Sequence, residues 1–212
     1  MKFVAIGRSL TLVNSIRHLI GNGHTLLGVI TSTPAPEYAD TLEELVRISQ
    51  DREVLLLKST DPLAITSFIE RLSDKPDIAV SVNHNAILGM EVLEKFSLGV
   101  LNAHGGDLPR YRGNACQAWA IINGEKRIAL CIHKMTPGEL DSGEIIERDF
   151  CVFDFHPIHV FLNSNGTEVY EKTRELQQDV QAVDLLTPHR QNVYGTHSGL
   201  ISLLETSRDG SS

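Results

Sequence analysis

The sequence predicts an α/β protein built on an open, mostly parallel, twisted sheet with helices on both faces. Short apolar runs alternate with segments of helical spacing from the first residues onward, the pattern that crossover helices impose on parallel strands. The first run, KFVAI, is continuous in its apolar character, as a fully buried strand is. The 212 residues, 42% hydrophobic and 22% charged, suffice to bury a large core without disulfide staples.

KFVAI (2–6) reads as the first strand, and Leu12, Val13, Ile16, Leu19 and Ile20 follow at helical spacing until GNGH stops the helix. TLLGVIT (25–31) is the next strand, which completes a β-α-β opening. After the Pro-containing loop STPAPEYAD, Thr41 and Glu44 read as a capping-box pair at the head of a helix reaching about residue 50. EVLLL (53–57) is a third strand, and Asp61 with Pro62 supplies an N-cap and first helical position for a helix through Leu72. DIAVSV (77–82) and LGVLNAH (98–104) follow as strands. CQAWAII (116–122) reads as a helix with Trp119 expected in the core. IALCIHKM (128–135) and GEIIERDFCVF (143–153) bracket the turn TPGELDSG as a strand pair. Val169, Thr173, Leu176, Val180 and Val183 form one stripe of a long helix expected to pack on the sheet. Residues 1–190 are expected to form one domain and 191–212 a partly disordered C-terminal tail.

The 27 acidic against 19 basic residues give a formal charge of −8, which weighs against a nucleic-acid partner held by phosphate neutralisation. Cys116, Cys131 and Cys151 are odd in number and contain no C-x-x-C pair, so neither a disulfide framework nor a zinc knuckle is expected. The start MKFVAIGRS reads as a strand and not a signal peptide, and no window approaches a membrane-spanning helix. A reduced, cytoplasmic setting without membrane attachment is expected, and a homo-oligomer is compatible with the sequence.

Chemistry gathers in GVLNAHGGDLPRYRGNA (99–115). Residues i and i+2 of a strand share a face, so Asn102 and His104 converge beyond the carboxyl end of a strand, where open α/β sheets bind ligands. A satisfied hydrogen-bonded pair at a strand end would look the same. Asp141, in the Pro-Gly turn of IHKMTPGELDSGEII (132–146), offers a carboxylate, although an Asp in a turn commonly serves its own backbone. Together the three lack a nucleophile. They suit a reaction in which the substrate attacks while the protein stabilises an oxyanion and moves a proton.

NAHGGDLPRYRG resembles the N-x-H-x-x-x-L-P-x-x-x-G signature of the folate-dependent formyltransferases, and HKMTPGELDSGEII resembles their H-x-M followed by Asp before Gly. The resemblance spans roughly residues 1–155 and implies a Rossmann-like formyltransferase fold. It implies Asn102, His104 and Asp141 as catalytic residues and 10-formyltetrahydrofolate as formyl donor. The donor's pterin would sit on backbone around NHNAIL, at Ile87 and Leu88, and on the turn of Pro137, Gly138 and Leu140. Common members carry Pro, Ser and Leu after the His, where this chain has Gly105, Gly106 and Asp107. The run is most like the branch that formylates amino sugars attached to nucleotides, which implies a small-molecule amine acceptor. The chain also stops short of the C-terminal barrel of the methionyl-tRNA formyltransferases and lacks the regulatory domain of the deformylases.

Asp107 could bind an acceptor hydroxyl or amine, or cap the next segment. Arg110, Tyr111 and Arg112 could hold a phosphate or form a solvated loop, and Arg8 with Ser9 could meet a phosphate at a helix N-terminus. His84 and His133 read as packed polar groups. Competing readings are formylation of glycinamide ribonucleotide, hydrolysis of the donor, a catalytically silent folate- or nucleotide-binding module, and a metal hydrolase using His104, His133 and Asp141. The last lacks any H-x-x-x-H or H-E-x-x-H spacing, so no metal is expected.

Overall fold

The computed structural model describes residues 1–32 and 39–152. The helical stripe at 169–183, the tail and the expected domain boundary lie outside the described residues. β1 (Lys2–Gly7), β2 (Thr25–Thr31), β3 (Leu55–Lys58), β4 (Ile78–Val82), β5 (Gly99–His104), β6 (Arg127–Lys134) and β7 (Ile145–Val152) form one sheet in the order β3-β2-β1-β4-β5-β6-β7. β1 to β5 are parallel, and β6 and β7 extend the sheet antiparallel. The chain winds outward from β1 to β3 and resumes at β4 on the other side of β1. That reversal opens a crevice at the carboxyl ends of β1 and β4, one strand from the end of β5.

Burial explains the layering. Along β1, Phe3 and Ala5 face the cluster made with α1 (Leu10–Gly21) and α2 (Ala39–Asp51), whereas Val4 and Ile6 face α3 (Pro62–Glu70) and α4 (Met90–Leu93). The period of two in the strand thus fills both cores, and helices cover both faces as predicted. Gly28 in β2 is required by close approach: a Cβ there would press on Phe68 and Leu72 of the α3 layer.

Two helix starts show local rules succeeding and failing. Asp61 accepts the Ala64 N–H at 2.9 Å with Pro62 opening α3, as predicted, and the helix ends at Glu70, two residues earlier than expected. Asp61→Ala is expected to lower stability by about 1 kcal/mol, read as a shift in denaturation midpoint. The Thr41–Glu44 capping box is corrected: α2 begins at Ala39, so Thr41 lies inside the helix. Glu44 pairs instead with Arg17 of α1 and Arg47. Ser9, not an acidic residue, caps α1 by accepting the Leu12 N–H at 3.3 Å.

Trp119 is a second correction. α5 (Cys116–Ile122) buries Cys116 and Ala120 against Ile128, which leaves Trp119 on the outer side and 56% exposed. A helix of seven residues has room for one buried face, and its two small residues occupy it.

Candidate active site

The antiparallel pairing of β5 with β6 sets the first contacts. Asn102 stands opposite His133 and His104 opposite Cys131. The Asn102 Nδ2 and His133 Nε2 lie 3.1 Å apart, which makes the two residues a cross-strand pair. Asp141 arrives from the β6–β7 turn, its backbone in the left-handed region at φ 49°. Gly143 allows that turn to close: a Cβ there would run into the Lys134 carbonyl at the end of β6.

The Asp141 side chain, 8% exposed, reaches between the two imidazoles. Its Oδ2 lies 3.4 Å from His104 Nδ1 and its Oδ1 3.4 Å from His133 Nε2. The Gly113 N–H donates to Oδ2 at 2.9 Å, tying the loop after β5 to the same carboxylate. Burial alone would push the Asp141 carboxyl up. The His133 hydrogen bond, the Gly113 N–H and the charges of the two histidines together hold it below the ordinary carboxylate range.

His104 Nε2 lies 2.7 Å from the Tyr111 carbonyl. A carbonyl can only accept, so Nε2 carries hydrogen and Nδ1 is the nitrogen that faces Asp141. Gly106 makes this possible, because a Cβ at 106 would collide with both the Tyr111 carbonyl and His104 Nε2. The arrangement offers one neutral amide, one imidazole oriented with a nitrogen toward the carboxylate, and one carboxylate held by the Gly113 N–H. It can donate hydrogen bonds to an oxygen that gains charge and pass a proton over a short path.

Several other predicted residues stand differently. Asp107 is half-buried and pairs with Arg148: its Oδ1 lies 3.1 Å from Arg148 Nη1, and Arg148 Nη2 also donates to the Leu108 carbonyl at 2.5 Å. Tyr111 is corrected as a substrate ligand, because its side chain is buried and its hydroxyl donates to Glu125 at 2.9 Å. The Arg110 guanidinium, largely exposed, pairs with Glu125, and Arg112 is exposed. Ser9 Oγ is committed to its cap, and the Arg8 N–H donates to the Val82 carbonyl at 3.1 Å across the crevice. Ile87 is 75% and Leu140 53% exposed, Pro137 and Gly138 lie in the exposed turn, and the Leu88 side chain is in the core, leaving only its backbone to a ligand.

The pairing of His133 with Asn102 is what sequence reasoning, which read His133 as a packed polar group or a metal-hydrolase ligand, missed, and the strand register carried the signal: two antiparallel strands joined at Ala103 and Ile132 put 133 against 102. His84, by contrast, stands outside the cluster beyond β4. Burial, with the Arg8 charge adding to it, pushes its imidazole down to about 4. The unfolded imidazole binds its proton near 6.5, so stability is full above that value and falls as pH drops from 6.5 to 4. His84→Asn is expected to flatten this loss, as measured by denaturant unfolding at pH 7 and pH 5.

The chain belongs to the formyl transferase family, whose family model matches residues 1–181. It is 31% identical to the methionyl-tRNA formyltransferase of Pelotomaculum thermopropionicum over 154 residues, covering 70% of this chain and 48% of that protein. The methionyl-tRNA formyltransferase of Caldanaerobacter subterraneus subsp. tengcongensis is 30% identical over 184 residues, covering 82% and 58%. The chain thus spans about half the length of these curated relatives. Among solved structures, the phosphoribosylglycinamide formyltransferase of Bacillus halodurans matches with a TM-score of 0.59 at 17% identity, covering 87% of this chain and 90% of that one. The N-formyltransferase of Helicobacter canadensis, in complex with folinic acid and dTDP-3-aminofucose, matches with a TM-score of 0.54 at 16% identity, covering 86% and 65%. These likenesses establish the α/β sheet as the formyltransferase fold.

Proposed function

We propose that the chain transfers a formyl group from 10-formyltetrahydrofolate to the amine of a small acceptor, an amino sugar linked to a nucleotide. The observation that carries the transfer is the Asp141 carboxylate held between His104 and His133, with Asn102 beside it, at the carboxyl end of β5. The acceptor reading rests on the −8 charge, which disfavours a polyanionic partner, and on the sequence likeness of 102–115 to the sugar-formylating branch.

The residues present fit the donor. Ile87 and Leu140 hold large apolar side chains out in solvent, and the exposed 137–140 turn offers backbone that can meet a pterin's polar edge. When bound there, the donor supplies an electrophilic formyl carbon. Asn102 donates to the formyl oxygen as the acceptor amine attacks and charge develops on it, and His104, in its protonated form, adds its positive charge. With His104 already protonated, the Asp141 carboxylate is the base left to take the proton the amine loses, and the donor nitrogen would take up a proton as its bond to the formyl carbon breaks and tetrahydrofolate leaves. His133, through Nε2, accepts from the Asn102 amide and holds it in place. Arg8, just after β1, and the exposed Arg112 are proposed for the acceptor's phosphates together with Arg110, which pairs with Glu125, and Asp107, which pairs with Arg148, for an acceptor hydroxyl or amine.

Incubating the protein with 10-formyltetrahydrofolate and dTDP-linked amino sugars tests the reading, with mass spectrometry for the gain of one formyl group. A second reading, formylation of methionyl-tRNA, is favoured by the relatives matched at about 30% identity. Tight, salt-sensitive tRNA binding at physiological ionic strength, with formyl-methionyl-tRNA as product, would replace the sugar reading with this one.

A further inference from the structure

One row of side chains crosses the sheet into the reaction centre. Strand register sets Leu57, Ile30, Ile6, Ser81, Asn102 and His133 side by side on β3, β2, β1, β4, β5 and β6. Lateral partners share a face of the sheet, and Leu57, Ile30 and Ile6 lie in the core under α3 and α4. Ser81 is where the row turns polar, between Ile6 and Asn102, and it is the one hydroxyl in the otherwise apolar β4, IAVSV.

Ser81 is wholly buried, and its Oγ has no hydrogen-bond partner among the described residues. An unpaired buried hydroxyl is a cost that alanine at the same place would not carry, so its presence asks for a partner. The neighbouring carboxamide supplies one. The Asn102 Nδ2 faces His133 Nε2 at 3.1 Å, and the Asn102 oxygen makes no hydrogen bond among the described residues. Adjacent strands lie about 4.8 Å apart, a gap that a serine hydroxyl and an asparagine carboxamide close with one hydrogen bond after rotation about the serine Cα–Cβ bond.

We propose that Ser81 is a positioning residue for the transfer: its hydroxyl donates to the Asn102 Oδ1. The amide is then held at both ends, by Ser81 at oxygen and by His133 at nitrogen, and its second Nδ2 hydrogen is left for the formyl oxygen. Donation to the oxygen also polarises the carboxamide and strengthens its N–H as a donor. Because no part of Ser81 reaches the surface, it acts through Asn102 and not on a ligand directly. The proposal rests on the formyl-transfer reading above and not on which amine accepts.

The test uses the full chain with 10-formyltetrahydrofolate and, as acceptors, a dTDP-linked 3-amino-3,6-dideoxyhexose and methionyl-tRNA. Ser81→Thr and Ser81→Val differ in the hydroxyl alone, so crowding by the added carbon is common to both. Ser81→Val is expected to have a kcat about tenfold below that of Ser81→Thr, with the same KM for the donor. Ser81→Ala, which adds no volume, shows the same fall against the wild type and serves if either larger side chain prevents folding. A hydroxyl with only a structural part would lower the unfolding midpoint of Ser81→Ala and leave its kcat alone. Wild-type kcat in Ser81→Ala, or equal kcat in Ser81→Thr and Ser81→Val, overturns this assignment and leaves the transfer reading standing. Transfer to neither acceptor by the wild type overturns the transfer reading and the positioning role with it.

Discussion

Asn102→Ala and His104→Ala each lower the rate of formyl transfer about a hundredfold or more, the usual cost of removing one donor aimed at a developing oxyanion. The two variants differ in stability. Asn102 is half-buried at the strand end and can be truncated with little effect on the sheet. His104 is buried and is the donor to the Tyr111 carbonyl, so its removal leaves a buried acceptor unmatched and costs about 1–3 kcal/mol besides. Single-turnover rates measured well below each variant's unfolding temperature separate the two effects. Wild-type rates in both variants would rule out this cluster as the reaction centre.

Asp141→Asn is expected to lower kcat about a hundredfold across the working pH range. Asparagine tolerates the left-handed backbone at 141 and can still accept the Gly113 N–H, so the turn survives while the charge is lost. In the wild type that charge is constant across the working range, because the Asp141 carboxyl is held below its ordinary value and protonates only in strong acid. The acid limb therefore reports the acceptor, which must attack as a free amine. A variant that keeps the wild-type kcat across that range would reduce Asp141 to a turn residue.

The fold was legible wherever a residue acts through its immediate neighbours. The strand at 25–31, the Asp61–Pro62 helix start and the pair flanking the turn at 136–143 could be read locally, since each rests on apolar continuity or a cap a few residues away. Thr41 misled because a capping box is a pattern of two residues, and Ala39 upstream can extend the helix past it. Trp119 misled because side-chain type does not say which face of a short helix meets the sheet. At the site, Asn102, His104 and Asp141 could be singled out by type and position. The pairing of His133 with Asn102 and of Arg148 with Asp107 could not, because they depend on register and on contacts across 31 and 41 residues of chain.

The cluster is assembled from parts of unequal stiffness. Asn102 and His104 ride on β5, bonded on one side to β4 and on the other to β6, with packed cores above and below. Asp141 rides on a hairpin tip whose neighbours Pro137 to Leu140 lie in solvent. One wall of the site is thus a fixed reference and the other a compliant arm. The two 3.4 Å gaps to the imidazoles can shrink to hydrogen-bond length by a small flexure of that arm, while no strand moves. A carboxylate carried this way can follow its proton partners as charge shifts between them, and the exposed turn can vary in sequence without disturbing the strand that holds the amide and the imidazole.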